Sequence, residues 1–523
     1  MTDLSFMSAK LALLVPEMVL LAGAVVVAIL GLSRGKALRD ATPFVTIGFL
    51  LVAAVVVPFV HTTERAEAAG LLMPMLGRPV RVLICGMGAM VCLLSVGLID
   101  RRLEGAFASG RAAFDPIRVN RGEFYAFFLL SLTGAMLICT ANDLVWLFLA
   151  LELTSLPTYI MVAMSRASRK AQEAAVKYFF LGAMAAAMFL YGFALLYGST
   201  GSIVLTTMRS ALAEQAAASG LTPLAITGLV LAILGIAYKI TAAPMHFYAP
   251  DVYEGAASPV TAFLAFVPKT AGMLALMLLL GTAGWSGHFL SDGNGLRLAY
   301  DGLPQPIVTV LWMVAALTMT LGNVGALLQQ NVKRMLAYSS IAHSGYMIIG
   351  LIAGPGLGLN AVLFYLLSYG VMNTAAFAVL SGLERQGEEI ENLADLAGLG
   401  RRHPAMAAAL AVSAASLIGI PPLLGFWGKL YLFIAGVEAG QIMLVVIACV
   451  NSAVSAWYYL RLVGLPILAA PTPQAESVVR GPSIWPRVAA VVGAVGVLLL
   501  PLAVQPLVEI AAGATALYAG AAP

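Results

Sequence analysis

The chain has 523 residues, is 61% hydrophobic and 10% charged, and carries a formal net charge of +4. Soluble globular domains are nearer half apolar and a quarter charged, so this inventory cannot build a water-facing surface and implies an integral membrane protein. No basic cluster is large enough to track a phosphate backbone, which excludes nucleic acid as the natural partner.

From the N-terminus, "MTDLSFMSAK" lacks a basic start and precedes a full-length apolar run, so an uncleaved first span is expected. A crossing helix needs about 20 apolar residues. Fourteen segments qualify, near 11–31, 42–61, 79–99, 124–140, 142–164, 171–198, 223–246, 257–283, 304–329, 335–353, 358–383, 405–436, 440–463 and 484–508. The longer connections, near 100–123, 199–222, 284–304, 384–404 and 464–483, leave no room for a separate domain. The expected fold is an all-α polytopic membrane protein, one transmembrane domain over residues 1–523.

Lysine and arginine placement sets the orientation. With the N-terminus outside, the inside connections hold 19 of the 29 basic residues and the outside ones six: Lys10, Arg65, Arg78, Arg81, Arg209 and Arg297. The other four, Lys177, Lys239, Lys269 and Lys429, fall within spans. All four are lysine in a chain whose arginines outnumber its lysines 21 to 8. Arginine keeps its proton almost everywhere, whereas a buried lysine can lose it, so the choice favours groups that titrate. The alternative is snorkelling or a static ion pair.

One carboxylate, Glu152, sits in the middle of "LVWLFLALELTSLPTYIMVA". At roughly 2.5–3.5 kcal/mol on insertion scales it needs a partner or a purpose. Glu17 and Glu123 lie nearer membrane edges, where headgroup water is the cheaper explanation.

Two helices are interrupted beside lysines. In "LAILGIAYKITAAPMHFYAPDVYEG", Pro244 frees the carbonyl of Ile240, and Lys239 and His246 flank it. In "ASLIGIPPLLGFWGKLYLF", Pro421 and Pro422 precede Lys429. Paired broken helices in two halves of a chain point to an inverted repeat with an ion path near the midplane. Lys269 follows Pro268 in the eighth span, and Lys177 lies about two turns into the sixth. His343, among Ser339, Ser340 and Ser344, is open to either a local hydrogen-bonded role or a relay role. The four cysteines, Cys85, Cys92, Cys139 and Cys449, lie singly in apolar runs, so no zinc or iron–sulfur site is signalled.

The stretches "EFYAFFLLSLTGAMLICTANDLVWLFLALELTSLPTYIMVA", "APMHFYAPDVYEGAASPVTAFLAFVPKTAG", "NVKRMLAYSSIAHSGYMIIG" and "GIPPLLGFWGKLYLF" resemble the subunit N family of NADH–quinone oxidoreductase, respiratory complex I. The resemblance runs from about residue 120 to 465. It implies fourteen core helices and two inverted repeats, roughly 123–283 and 304–463. It implies that Glu152 is the key glutamate and Lys239 its broken-helix partner, with Lys177 between them in the chain. It further makes Lys269 a central relay, His246 a bridging histidine and Lys429 the terminal lysine. Lysine at 429 fits subunit N better than subunit M, and no long lateral helix argues for subunit L. Two departures are Tyr248 and Ala249, where Trp and Thr are usual, and a missing Asp-x-Phe pattern before the third span.

No cofactor is expected in this chain; FMN, iron–sulfur clusters and quinone are implied in partner subunits. The resemblance also implies a bacterial inner-membrane location, and the basic-residue bias with fourteen spans puts both termini outside. A Glu–Lys pair about 6 Å apart at an effective dielectric near 20 is worth roughly 3 kcal/mol. Moving one charge against 100 mV costs about 2.3 kcal/mol, so making and breaking such a pair has the right size to drive a proton. A subunit of a cation/proton antiporter or membrane-bound hydrogenase is the competing transport reading, and a scaffold with register-setting charges the non-transporting one.

Overall fold

Where water is absent a long apolar segment must satisfy its own backbone, and this chain does so almost entirely as helix. The computed structural model describes residues 3–97, 109–111, 121–166, 168–285, 287–292, 295–300, 302–515 and 517. Three of the basic residues counted in the inside connections, Arg101, Arg102 and Arg118, lie outside the described residues.

The first part of the chain forms α1 (Asp3–Leu13), α2 (Val15–Gly31), α3 (Lys36–Val60), α4 (Thr63–Ala68) and α5 (Gly77–Ser95). There follow α6 (Arg121–Leu137), α7 (Leu144–Met164), α8 (Arg169–Thr200), α9 (Leu205–Ala218), α10 (Pro223–Lys239), α11 (Ala249–Gly255) and α12 (Ser258–Ala283). After the hairpin β1 (Gly287–Asp292) and β2 (Gly295–Tyr300) come α13 (Gln305–Leu327), α14 (Val332–Ala353) and α15 (Leu357–Ser381). The last part holds β3 (Leu383–Arg385), β4 (Glu388–Glu389), α16 (Leu399–Arg402), α17 (Pro404–Ile418), α18 (Leu424–Glu438), α19 (Ile442–Leu468), α20 (Pro473–Glu476), β5 (Val478–Arg480), α21 (Trp485–Leu499) and α22 (Val504–Ala514). The strands make a two-stranded sheet and a small sheet in the order β4-β3-β5, both in connections between helices.

Local chemistry fixes the helix starts. Asp143, Ser168, Thr222 and Asn331 each accept a hydrogen bond from a first-turn N–H of α7, α8, α10 and α14. Proline opens α10 and α12, where its missing N–H costs nothing. Among the described residues eleven helices are long and apolar enough to cross a membrane, or twelve if α1 and α2, bent by 49°, count as one. The expected spans 223–246 and 405–436 are each split. The first breaks between Lys239 and Ala249, the second between Ile418 and Leu424.

The core is layered around α12, α14 and α15, which are buried on nearly every side. The outer helices α3, α8, α19 and α21 keep apolar faces exposed, such as Phe59, Phe180, Trp457 and Val492. In a bilayer these faces meet lipid. Glycine permits the closest crossing: a Cβ on Gly31 would lie 2.3 Å from the Gly122 Cα, so α2 and α6 meet backbone to backbone.

Two expectations about charge are corrected here. Glu17 is not at a watered edge: it is 1% exposed and 2.8 Å from Arg81, which is itself fully buried in α5. Arg81 also donates to the Leu13 carbonyl and bonds the buried His61 ring, so a span does contain an arginine. A carboxylate one helix away makes that charge tolerable. Lys333, one of the 19 basic residues counted in the inside connections, is likewise fully buried at the start of α14.

Candidate functional site

Lys239 is the last residue of α10. Its Nζ donates to Glu152 Oε1 at 3.0 Å and to Ser155 Oγ at 2.6 Å. Glu152 and Ser155 are three residues apart on α7, so both face the same partner. Lys239 is 3% exposed and the Glu152 side chain 17%, which makes this a nearly dry ion pair.

Beyond Lys239 the backbone leaves the helix, with Thr241 at φ 58°. Two of the freed groups find partners on other helices. The Ile240 carbonyl accepts from the Ser344 hydroxyl of α14, and the Ala243 N–H donates to Thr318 Oγ1 at 2.8 Å. Ser344 is one turn past Ser340 and next to His343, so this break is stitched to the helix that continues the line.

Gly272 of α12 brings that helix against the break: a Cβ there would sit 2.5 Å from Ile240 Cγ2 and 3.1 Å from Lys239 Cβ. One turn before Gly272 is Lys269, 1% exposed. Its Nζ donates to the Ser340 carbonyl at 2.5 Å and hydroxyl at 2.8 Å, and lies 4.6 Å from the centre of the Tyr369 ring. One turn beyond Ser340 is His343, whose Nδ1 bonds the Tyr365 hydroxyl at 2.6 Å and whose Nε2 bonds that of Tyr459 at 2.9 Å. The Tyr365 ring packs on Gly428, the neighbour of Lys429. Lys429 Nζ donates to the Ile418 carbonyl at 2.8 Å and to Ser452 Oγ at 2.9 Å, and lies 5.1 Å from the Tyr346 ring centre. A row of buried polar groups therefore runs Glu152, Lys239, Lys269, Ser340, His343, Lys429.

The profile of the family described as "NADH:quinone oxidoreductase/Mrp antiporter, TM" matches residues 141–291 and 298–455, which contain this row. The chain belongs to that family. Among its relatives, NADH-quinone oxidoreductase subunit N of Trichlorobacter lovleyi is 43% identical over 66% of this chain and 67% of its own length. The subunit N of Halorhodospira halophila is 37% identical over 90% of each chain. Of solved structures, a chain of respiratory complex I from Thermus thermophilus aligns with a TM-score of 0.72 and 32% identity, over 95% of this chain and all of its own. A chain of the Mrp complex from Dietzia sp. shares the fold, with a TM-score of 0.74 at 23% identity, over 98% of this chain and 97% of its own.

Four of the six site residues expected from sequence lie on the row: Glu152, Lys239, Lys269 and Lys429. Lys177 does not. It is 42% exposed and paired with Asp251 at 2.8 Å and Glu173 at 2.7 Å. His246 is half-buried in the break, its Nδ1 meeting no hydrogen-bonding group among the described residues. His343 has both ring nitrogens bonded to tyrosine hydroxyls, an arrangement compatible with either of the roles expected from sequence. Sequence reading named Ser340 and Ser344 only as neighbours of His343, and missed Ser155, Tyr365, Tyr369 and Tyr459 between the charges. Their signal was slight, a polar atom at helical spacing from a lysine or histidine.

It also missed an ion-pair lattice at one end of the bundle. Glu389, in the connection after α15, accepts from the N–H (2.9 Å) and hydroxyl (2.8 Å) of Ser258, the first residue of α12. Arg166 pairs with Glu389 and, at 2.6 Å, with Glu391; Lys333 lies 3.3 Å from Glu391. Burial raises the Glu391 carboxyl, but Lys333 and Arg166 outweigh it and hold the group below its ordinary range. Arg334 ties Asp251 and Glu254 of α11 to the same end.

Proposed function

We propose that this chain moves protons across the membrane along the row from Glu152 to Lys429, as the non-redox pumping subunit of a NADH–quinone oxidoreductase. The observation that carries the reading is the buried Glu152–Lys239 pair at 3.0 Å, continued by two buried lysines whose partners are hydroxyls and carbonyls. Ionisable groups are kept inside membrane helices for ion and proton paths. Protons load from the inside toward Lys239 and Lys269, pass His343, and leave through Lys429. Glu152 is the movable counter-charge. Lys177, with Asp251 and Glu173, works at the inside rim, and His246 bridges at the first break.

Redox energy comes from partner subunits that hold FMN, iron–sulfur clusters and quinone. A need for partners is visible at both breaks. Pro244, Phe247 and Ile420 are exposed beside non-helical backbone, which survives at membrane depth only against protein or water.

In this reading the two split helices each count as one crossing. That gives fourteen spans in one transmembrane domain, in a bacterial inner membrane, with both termini outside. Matched backbone bridges support inverted repeats near 123–283 and 304–463. Leu144 N–H donates to the Ile203 carbonyl at the start of α7, and Val332 N–H to that of Glu391 at the start of α14.

The test is purification of the complex, followed by reconstitution. Flavin and iron–sulfur subunits must accompany the chain, and Glu152→Gln must assemble yet pump poorly. Normal pumping by a verified Glu152→Gln complex sinks the proposal.

A further inference from the structure

Buried amides and hydroxyls in the spans find partners, many of them a carbonyl one turn back on the same helix. Asn323 and Asn451 donate to carbonyls four residues back, at 2.9 and 3.0 Å. Thr270 and Ser368 do the same. Asn373 and Thr374 of α15 are exceptions. Asn373 is 1% exposed and Thr374 fully buried. Yet neither Asn373 Oδ1, Asn373 Nδ2 nor Thr374 Oγ1 meets a hydrogen-bonding group among the described residues. Interior groups of this kind are satisfied by ordered water, which needs two to four polar partners.

Their place in the bundle gives that water a purpose. One turn earlier on α15, the Tyr369 ring lies 4.6 Å from Lys269 Nζ, and Gly370 packs on Phe266 of α12. Asn373 and Thr374 repeat those two positions, so they face α12 as well. One turn further, Phe377 lies 6.5 Å from Tyr253, whose hydroxyl is 3.4 Å from Ser340 Oγ, the acceptor of Lys269. On α12, Ala262 shares the face of Lys269 seven residues earlier and is a small side chain.

The same direction leads to the ion-pair lattice. α12 begins at Ser258, bonded to Glu389; α14 begins beside Lys333, bonded to the Ala256 carbonyl at 2.9 Å; α15 ends just before the Glu389 connection. An ammonium has three donors, and Ser340 supplies Lys269 with two acceptors.

We propose that Asn373 and Thr374 hold the waters that carry protons from the Glu389–Glu391–Lys333 lattice to Lys269, making Asn373 a positioning residue for loading. This rests on the proton-path reading above. The water at Lys269 gives its proton to the neutral amine and takes one from the next water. Repeated along the row, one proton leaves the lattice end and one arrives at the lysine.

The test is proton pumping by the reconstituted complex carrying Asn373→Leu, Asn373→Ser or Lys269→Met, with assembly assayed separately. Leucine keeps the branched shape, is somewhat larger and binds no water; serine leaves a gap but keeps a hydroxyl. Water positioning predicts that Asn373→Leu loses pumping about tenfold or more while Asn373→Ser keeps most of it. A packing role predicts the reverse order, and that order overturns the proposal. So does equal loss in both variants. Normal pumping by Asn373→Leu with failure of Lys269→Met removes this route but spares the path; normal pumping by Lys269→Met overturns both. If Asn373→Leu does not assemble, a high-resolution map of the parent complex decides. Ordered water within hydrogen-bond reach of the Asn373 amide supports the proposal, and a dry site overturns it.

Discussion

The two broken helices handle the same problem in opposite ways. At the first, the lysine precedes the break and pairs with a full carboxylate, while a serine from another helix satisfies the freed Ile240 carbonyl. At the second, the lysine follows the break and bonds the freed Ile418 carbonyl itself, with Ser452 as its other partner. Ile418 ends α17, so Lys429 meets only the partial negative charge of a helix C-terminus, about half an elementary charge. No described carboxylate pairs with Lys429. The first site can therefore be switched by moving one side chain, Glu152, whereas the second is governed by fixed dipoles. That division suits a holder and a releaser of protons.

The largest test of this contrast is Glu152→Gln. Removing one partner of a buried pair costs about 3–5 kcal/mol when the other charge stays. The expected result is an assembled complex with strongly impaired pumping and slower quinone reduction. Retained pumping would erase the distinction between the breaks.

A smaller effect separates the two carbonyls. Ser344→Ala combined with Thr241→Val strips Ile240 of both its hydroxyl donors and should cost about 1–3 kcal/mol, as expected for a buried unsatisfied acceptor. Ser452→Ala leaves Ile418 bonded to Lys429 and should cost only about 0.5–1.5 kcal/mol. Thermal unfolding of the two complexes gives the order, and a larger loss for Ser452→Ala would contradict the assignment of partners.

The smallest effect lies at the lattice. Because Glu391 is held below its ordinary carboxylate range, the stability it contributes is complete above that range and is lost as pH falls through its lowered value. Hydrogen exchange in the connection 382–398 should therefore rise in acid for the parent. In Glu391→Gln it should already be faster at neutral pH and should lose that part of the pH dependence. An unchanged acid profile in the variant would mean that the lattice does not hold the connection.

Much of this contrast was legible from sequence. Composition alone forced a helical membrane protein, and proline beside lysine located both breaks within a few residues. Glu152 and Lys239 stood out because a lone charge in an apolar run is costly. What stayed hidden depended on packing between distant segments. Glu17 and Arg81 looked like edge residues because each lies near one end of its helix; only the approach of α2 to α5 shows that they are buried together. Glu389 and Arg166 are separated by more than two hundred residues, and nothing local announces their pairing. The serines and tyrosines that link the lysines have no unusual spacing of their own. Lys177 was misleading for the opposite reason: its position within a span implied burial, whereas the face it occupies is exposed.

The most direct test of the account is proton pumping by reconstituted complexes carrying Lys429→Arg and Lys429→Met, with assembly measured in parallel. Arginine keeps the charge but cannot release its proton at physiological pH, and methionine keeps neither charge nor proton. A lysine that carries protons fails with both substitutions, and that is the result the account predicts. Pumping at the parent rate by Lys429→Arg, with failure of Lys429→Met, would make Lys429 a fixed positive charge and contradict the proposed exit.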